Sequence, residues 1–323
     1  MKISAVIPAY NIEAYIGRAI ESALRQSRPA DEIVVVDDGS TDGTAAEIRK
    51  FGERVRLIQQ PNGGLSAARN RGIAAAGGEW IAFLDGDDEW LPEHLQRQEA
   101  LLHRHPELAW STGNYIRCLC AQQVQAPNTD PARARALSAG REFIPDYYQA
   151  LRLDLHGCAD TMIVRRQALI DAGWFRAGLR RAEDLDLWLR IAVDHPAIGY
   201  IPDPSAIYHL ERPGCLSNIF TPVELYCDLI ERQRSFSAAK GKSDRFQPIA
   251  VFLLRRWMRS MLFDARGRDI RRMLSQFRAI LPADYRFSMR LLTAFPRVTR
   301  AGCRAISRII RVLRLRRQLQ RKP

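Results

Sequence analysis

The sequence predicts an α/β protein with an open, mostly parallel sheet flanked by helices, and three observations predict it. Short apolar runs alternate with stretches of helical apolar spacing through residues 1–90, the rhythm of strand, crossover helix and next strand. One run, Glu32-Ile33-Val34-Val35-Val36-Asp37, is unbroken and β-branched, as a parallel strand buried on both faces requires. Polar clusters close three of the runs: Pro8-Ala9-Tyr10-Asn11, Asp37-Asp38-Gly39-Ser40 and Asp85-Gly86-Asp87-Asp88. Ligands of open α/β sheets bind outside the carboxyl ends of the strands.

Taken in order, residues 2–8 read as a strand stopped by proline, and residues 14–25 carry Ile16, Ala19, Ile20, Ala23 and Leu24 at helical spacing. Residues 32–37 form the second strand and 43–51 return as a helix. A third strand over 55–59, a helix over 65–76 and a fourth strand over 80–84 follow. Residues 120–140 lack periodicity and predict a loop over the site, where specificity often resides. Residues 160–164 read as a further strand, and 183–193 as a helix burying Leu185, Leu187, Trp188 and Ile191. Long helices are expected beyond Pro222, which divides the chain into an α/β domain over 1–220 and a helical, strongly basic region over 221–323.

At 323 residues, 46% hydrophobic and 26% charged, the chain can bury a sizeable core, and disorder is not expected. No apolar run reaches the roughly eighteen residues that cross a bilayer. The N-terminus lacks the charged start, apolar stretch and cleavage site of a signal peptide, so a cytoplasmic protein is expected. The closest cysteines, Cys118-Leu119-Cys120, have neither zinc nor redox spacing, and reduced thiols are expected throughout. Charge is uneven: residues 251–323 hold 20 Lys+Arg against 3 Asp+Glu, a net +17, which leaves −4 for residues 1–250. A basic end on a near-neutral body is the mark of a polyanionic partner, nucleic acid or an anionic membrane.

Two carboxylates one residue apart, Asp85 and Asp87, leave the sheet together. They can share a divalent cation with a diphosphate, because hard cations take oxygen ligands from protein and phosphate jointly. Taken alone the same tripeptide is a turn; its place among three polar strand ends favours a site. Asp37 or Asp38 can accept a hydrogen bond from a nucleobase edge, while Ser40, Thr41 or Asp42 caps the next helix. Asn62-Gly63-Gly64 opens a helix with Arg69 one turn inside, either a ligand-facing or a surface arginine. Glu183-Asp184 opens another helix, where acids either complement the helix dipole or supply a general base to an attacking hydroxyl.

Five blocks in this order resemble glycosyltransferase family 2: Val6-Ile7-Pro8-Ala9-Tyr10-Asn11, residues 34–44, residues 64–72, Phe83-Leu84-Asp85-Gly86-Asp87-Asp88 and Glu183-Asp184-Leu185-Asp186-Leu187-Trp188, spanning roughly 1–215. The resemblance implies a GT-A fold, a nucleotide-sugar donor, a divalent metal (Mn2+ or Mg2+) and inversion at the anomeric carbon. It further implies that Pro8, Ala9 and Tyr10 line the nucleotide, that Asp37 or Asp38 contacts the base, and that Arg69 approaches the base or ribose. Asp85 would hold the ribose or sugar and is a second metal candidate, Asp87 would ligate the metal, and Asp184 would be the base with Glu183 beside it. One departure stands out. Relatives often carry a Tyr-Arg-x-His-like run, whereas Tyr208-His209-Leu210-Glu211-Arg212 puts the histidine in the arginine's place; His209 or Arg212 then substitutes, or the leaving-group end is altered.

Over residues 300–317, Arg300, Arg304, Arg308, Arg311 and Arg314 share one helical face with Ile306, Ile309 and Val312 on others. This basic amphipathic helix either lies on an anionic membrane surface or packs on the catalytic domain. No nucleic-acid module is present and aromatic interleaving is sparse, so nucleic acid is not expected as a partner. The combined expectation is a metal-dependent hexosyl- or N-acetylhexosaminyl-transferase, peripheral on the inner face of a bacterial membrane. It would move a sugar from a nucleotide donor, UDP by family frequency, to a glycan or lipid-linked acceptor in surface polysaccharide synthesis. The alternatives are a non-catalytic scaffold, disfavoured by the full acid set, and a nucleotidyltransferase, disfavoured by the Glu-Asp helix.

Overall fold

The computed structural model describes residues 1–119, 124–179, 181–210 and 221–294, in two compact units, Met1–Phe220 and Thr221–Pro323. The first begins β1 (Ile3–Ala9), α1 (Glu13–Leu24), β2 (Glu32–Asp37), α2 (Thr44–Arg49), β3 (Arg56–Gln59), α3 (Leu65–Ala75) and β4 (Trp80–Phe83). There follow β5 (Glu89–Trp90), α4 (His94–Arg104), β6 (Trp110–Gly113), β7 (Ile116–Leu119), β8 (Val124–Pro127), α5 (Pro131–Leu137), β9 (Phe143–Ile144) and α6 (Tyr147–Leu153). The unit ends with β10 (Ile163–Arg165), α7 (Arg166–Asp171), α8 (Glu183–Asp194), β11 (Ile198–Ile201) and β12 (Ala206–His209).

The main sheet has eight strands in the order β3-β2-β1-β4-β10-β6-β11-β9. β3, β2, β1 and β4 run parallel, β10 enters antiparallel between β4 and β6, and β11 runs with β6 but against β9. A second sheet, β5-β12-β7-β8, has four strands. The chain steps outward from β1 through β2 to β3 and then returns on the other side of β1 as β4. That reversal opens a crevice at the carboxyl ends of β1 and β4.

Helices on both faces explain the unbroken apolar strands. Ile3, Ala5 and Ile7 of β1 pack with Ile16, Ala19 and Ile20 of α1 and Leu95 and Leu101 of α4. On the opposite face Val34 and Val36 of β2 pack with Ala68 of α3. Gly72 lets α3 lie this close, since a Cβ there would run into Val6 Cγ1.

Several expectations are corrected. The stretch read as a loop over 120–140 holds β8 and α5 among its described residues. Asp130 caps α5 by accepting the Arg133 N–H at 2.9 Å, with Pro131 in the first turn. β8 is exposed throughout and owes its form to pairing with β7, which no apolar period could reveal. The strand read over 160–164 is a 3-10 turn, Ala159–Thr161, followed by β10. Leu185 is only half-buried, whereas Leu187, Trp188 and Ile191 are buried. Cys118 is disulfide-bonded, contrary to the reduced state expected, while Cys158 and Cys227 are free thiols.

The second unit is helical: α9 (Val223–Ala239), α10 (Ser243–Phe263), α11 (Gly267–Gln276) and α12 (Ala283–Ala294). Leu229 and Ile230 of α9, Leu254 and Met258 of α10, Met273 of α11 and Met289 of α12 are buried, and Tyr226 lies against Trp257 with ring centroids 4.6 Å apart. Among the described residues no helix is long and apolar enough to cross a membrane. The amphipathic helix expected over 300–317 and the substitute ligand Arg212 lie outside the described residues.

Candidate active site

Because β1, β2 and β4 are parallel neighbours, their carboxyl ends open on one edge, and the three polar clusters meet there. Asp38 N–H donates to Ala9 O at 2.8 Å. Asn11, at φ +49, donates its N–H to Ser40 Oγ at 3.0 Å and accepts the Thr41 N–H at 2.8 Å. Pro8 and Ala9 are buried and Tyr10 beside them is 45% exposed. The buried Asp37 accepts from Ser40 N–H and Gln59 Nε2, both at 3.0 Å. Asp38, also buried, accepts from Gln60 Nε2 at 2.6 Å and from the N–H groups of Gly63 and Gly64 at 3.0 and 2.8 Å. Asp38 thus holds the glycine loop that starts α3, where Gly64 adopts φ +85, a conformation that glycine alone takes without strain.

The acidic turn after β4 packs directly on the end of β1: a Cβ at Gly86 would stand 2.8 Å from Pro8 O. Asp85 O accepts the Asp88 N–H at 3.0 Å, and Arg18 Nη2 donates to Asp87 O at 2.6 Å. Asp85 and Asp87 are half-buried, Asp88 fully buried. His209, expected near the metal, donates its backbone N–H to Asp88 Oδ1 at 2.7 Å, and its Nε2 lies 2.8 Å from Glu89 Oε1. Among the described residues, the carboxylates that each bring an oxygen within 4.8 Å of one another are Asp85, Asp88 and Asp160. Asp87 lies within the same turn.

Burial, with repulsion from Asp160, Asp87 and Asp85, raises Asp88 well above the ordinary carboxylate range. Burial and Asp85 do the same to Asp160. Hard oxygen donors crowded at raised pKa fit a divalent ion of the Mg2+ or Mn2+ kind.

Arg69 is not a surface residue. It is 1% exposed, its Nη2 bonds Asp85 Oδ1 at 2.7 Å and its Nη1 bonds Glu183 Oε1 at 2.9 Å. Its guanidinium carbon lies 5.1 Å from the Phe175 ring centroid. One cation therefore ties the acidic turn to the first turn of α8. That helix is seated by Trp188, whose ring lies 5.9 Å from Phe83 and 6.3 Å from Trp110. Of the three acids in its first turn, Glu183 takes Arg69, and the buried Asp186 takes Arg190 at 2.7 Å. Asp184 accepts the Leu185 N–H at 2.7 Å. Burial raises the Asp184 pKa against the opposing pull of Arg69, and burial together with Asp184 raises Glu183.

Of the expected site residues, Pro8, Ala9, Tyr10, Asp37, Asp38, Asp85 and Asp87 lie at the strand ends, Arg69 in α3 and Glu183 and Asp184 at the start of α8, with His209 turned to Glu89. Asp88, Asp160, Arg18 and Glu89 were not anticipated. Asp88 adjoins the acidic motif and could have been included; Asp160 comes from a turn that no pattern marks.

The family model for glycosyl transferase family 2 matches residues 4–174. The putative teichuronic acid biosynthesis glycosyltransferase TuaG of Bacillus subtilis is 32% identical over 195 residues, covering 58% of this chain and 71% of TuaG. The uncharacterized glycosyltransferase alr2836 of Nostoc is 48% identical over 101 residues, which span 30% of this chain and only 31% of that protein. Among solved structures, S. aureus TarS 1–349 in complex with UDP-GlcNAc superposes with a TM-score of 0.70 at 21% identity, covering 93% of this chain and 88% of that one. The chain belongs to glycosyltransferase family 2, and its fold is GT-A.

Proposed function

We propose that the protein is an inverting, metal-dependent transferase that moves a hexosyl or N-acetylhexosaminyl group from a UDP-sugar to a glycan or lipid-linked acceptor in surface polysaccharide synthesis. The observation that carries this reading is the buried Arg69, which holds Asp85 at 2.7 Å and Glu183 at 2.9 Å. It sets a strand-end acidic turn and a helix-borne base a fixed distance apart. The UDP assignment is supported by the UDP-GlcNAc in the TarS structure, and the pathway class by TuaG.

In this reading the nucleotide lies across the ends of β1 and β2, against Pro8, Ala9 and Tyr10, with Asp37 or Asp38 toward the base. Asp85 and Asp87, with Asp88 beside them, would hold the divalent ion, while Asp160 stays bonded to the main chain of Asp85. When bound, that ion neutralises the charge left on the departing nucleoside diphosphate. Asp184 accepts the proton of the acceptor hydroxyl as its oxygen bonds to C1, and the C1–phosphate oxygen bond breaks in the same displacement. A raised pKa makes Asp184 a stronger base than an exposed aspartate. His209 acts on the acidic turn through Asp88 and Glu89.

We place the protein on the cytoplasmic side, peripheral to an anionic membrane. The charge of residues 251–323 supports this, as does α12, where Phe287 is 71% and Leu291 56% exposed beside Arg290. A thermal-shift panel of UDP-, GDP-, dTDP- and CMP-sugars with Mn2+ tests the donor, because a ligand that binds only the folded state raises its apparent stability. A UDP-sugar is expected to give the largest shift. A larger shift with another nucleotide would replace the donor assignment.

A further inference from the structure

We infer that Asp160 is a positioning residue for the acidic turn, holding both of its ends from a separate segment of the chain. Asp160 lies in the 3-10 turn before β10 and is 1% exposed. Its Oδ1 accepts the N–H of Asp85, the first residue of the turn, at 2.8 Å. Its main-chain carbonyl accepts the indole Nε1–H of Trp90, just past the end of the turn, at 2.6 Å. Cys158 Sγ donates to its remaining oxygen, Oδ2, at 3.4 Å. Between these ends the turn is held by Arg18 at Asp87 O and by His209 N–H at Asp88 Oδ1. Asp160 contacts no motif residue by sequence proximity, yet it fixes the backbone from which Asp85 and Asp87 project. Its contribution to Asp85 is as a hydrogen-bond acceptor, a role that an amide oxygen can also fill.

This inference rests on the metal-dependent reading, and Mn2+ binding separates the two. The full chain is titrated with Mn2+ followed by EPR, without nucleotide, as wild type, Asp160→Asn and Asp160→Ala. Asp160→Asn is expected to stay within about threefold of wild-type affinity, since Oδ1 can still accept the Asp85 N–H. Asp160→Ala is expected to lose about tenfold or more, with much of the kcat for sugar-nucleotide turnover recovered at saturating Mn2+. Should Asp160→Ala not fold, Asp160→Ser, which keeps a polar group but shortens the side chain and so draws its oxygen back from the Asp85 N–H, takes its place with the same expectation. Equal loss in Asp160→Asn and Asp160→Ala would make Asp160 a metal ligand and overturn the positioning role. Unchanged affinity in both, whatever their thermal midpoints, would leave it an ordinary structural residue and overturn it too. A wild type that binds no Mn2+ would remove the metal reading and this inference together.

Discussion

At Asp184 two effects oppose one another: burial raises the carboxyl's pKa, the Arg69 cation lowers it, and burial is the larger. A base works only when deprotonated, so activity is lost as pH falls through that raised value. The acidic limb of kcat/KM is expected at higher pH than an exposed aspartate would give; a limb near pH 4 would mean an exposed, unperturbed base. Arg69 is the other decisive residue. Replacing it by methionine leaves Asp85 and Glu183 facing one another without their cation, and breaking a buried ion pair in this way costs about 3–5 kcal/mol. Urea unfolding of Arg69→Met is expected to show a loss of that order together with a raised donor KM. A variant of native stability and native KM would remove the bridge from the argument.

At the level of elements, the geometry of the crevice depends on how closely α3 approaches β1. Gly72 faces Val6 with no room for a Cβ, and overpacking a filled interface costs about 1–3 kcal/mol. A lower urea midpoint in Gly72→Ala is the expected result, and an unchanged midpoint would show that α3 can shift without penalty. The same packing explains what was legible beforehand. β1, β2 and β4 are buried on both faces, so their apolar runs announced them, and the polar residues at their ends could be read as a site. β5, β7, β8 and β12 are two to four residues long and form only where a partner strand is already in place, so no local period marks them. Arg69 read equally well as a surface residue, because its two carboxylate partners lie 16 and 114 residues away. Asp160 was invisible for the same reason: its hydrogen bonds to Asp85 and Trp90 bring together residues 75 and 70 apart.

For the whole molecule, the uneven charge and the apolar side of α12 lead to one expectation about location. The full chain is expected to float with vesicles containing anionic phosphatidylglycerol, to stay behind with neutral phosphatidylcholine, and to lose much of its binding when Phe287 and Leu291 are changed to serine. Flotation independent of lipid charge, or none at all, would contradict a membrane-surface role. Catalysis is the central claim, and its most direct test is release of free UDP from UDP-sugars with and without Mn2+, by wild type and by Asp184→Asn. Wild type is expected to release UDP only when the metal is present. Asp184→Asn is expected to bind the donor as before and to turn over about 10²–10⁴-fold more slowly, the usual contribution of a general base. Metal-independent release, or turnover by Asp184→Asn equal to wild type, would contradict a metal-assisted displacement with Asp184 as its base.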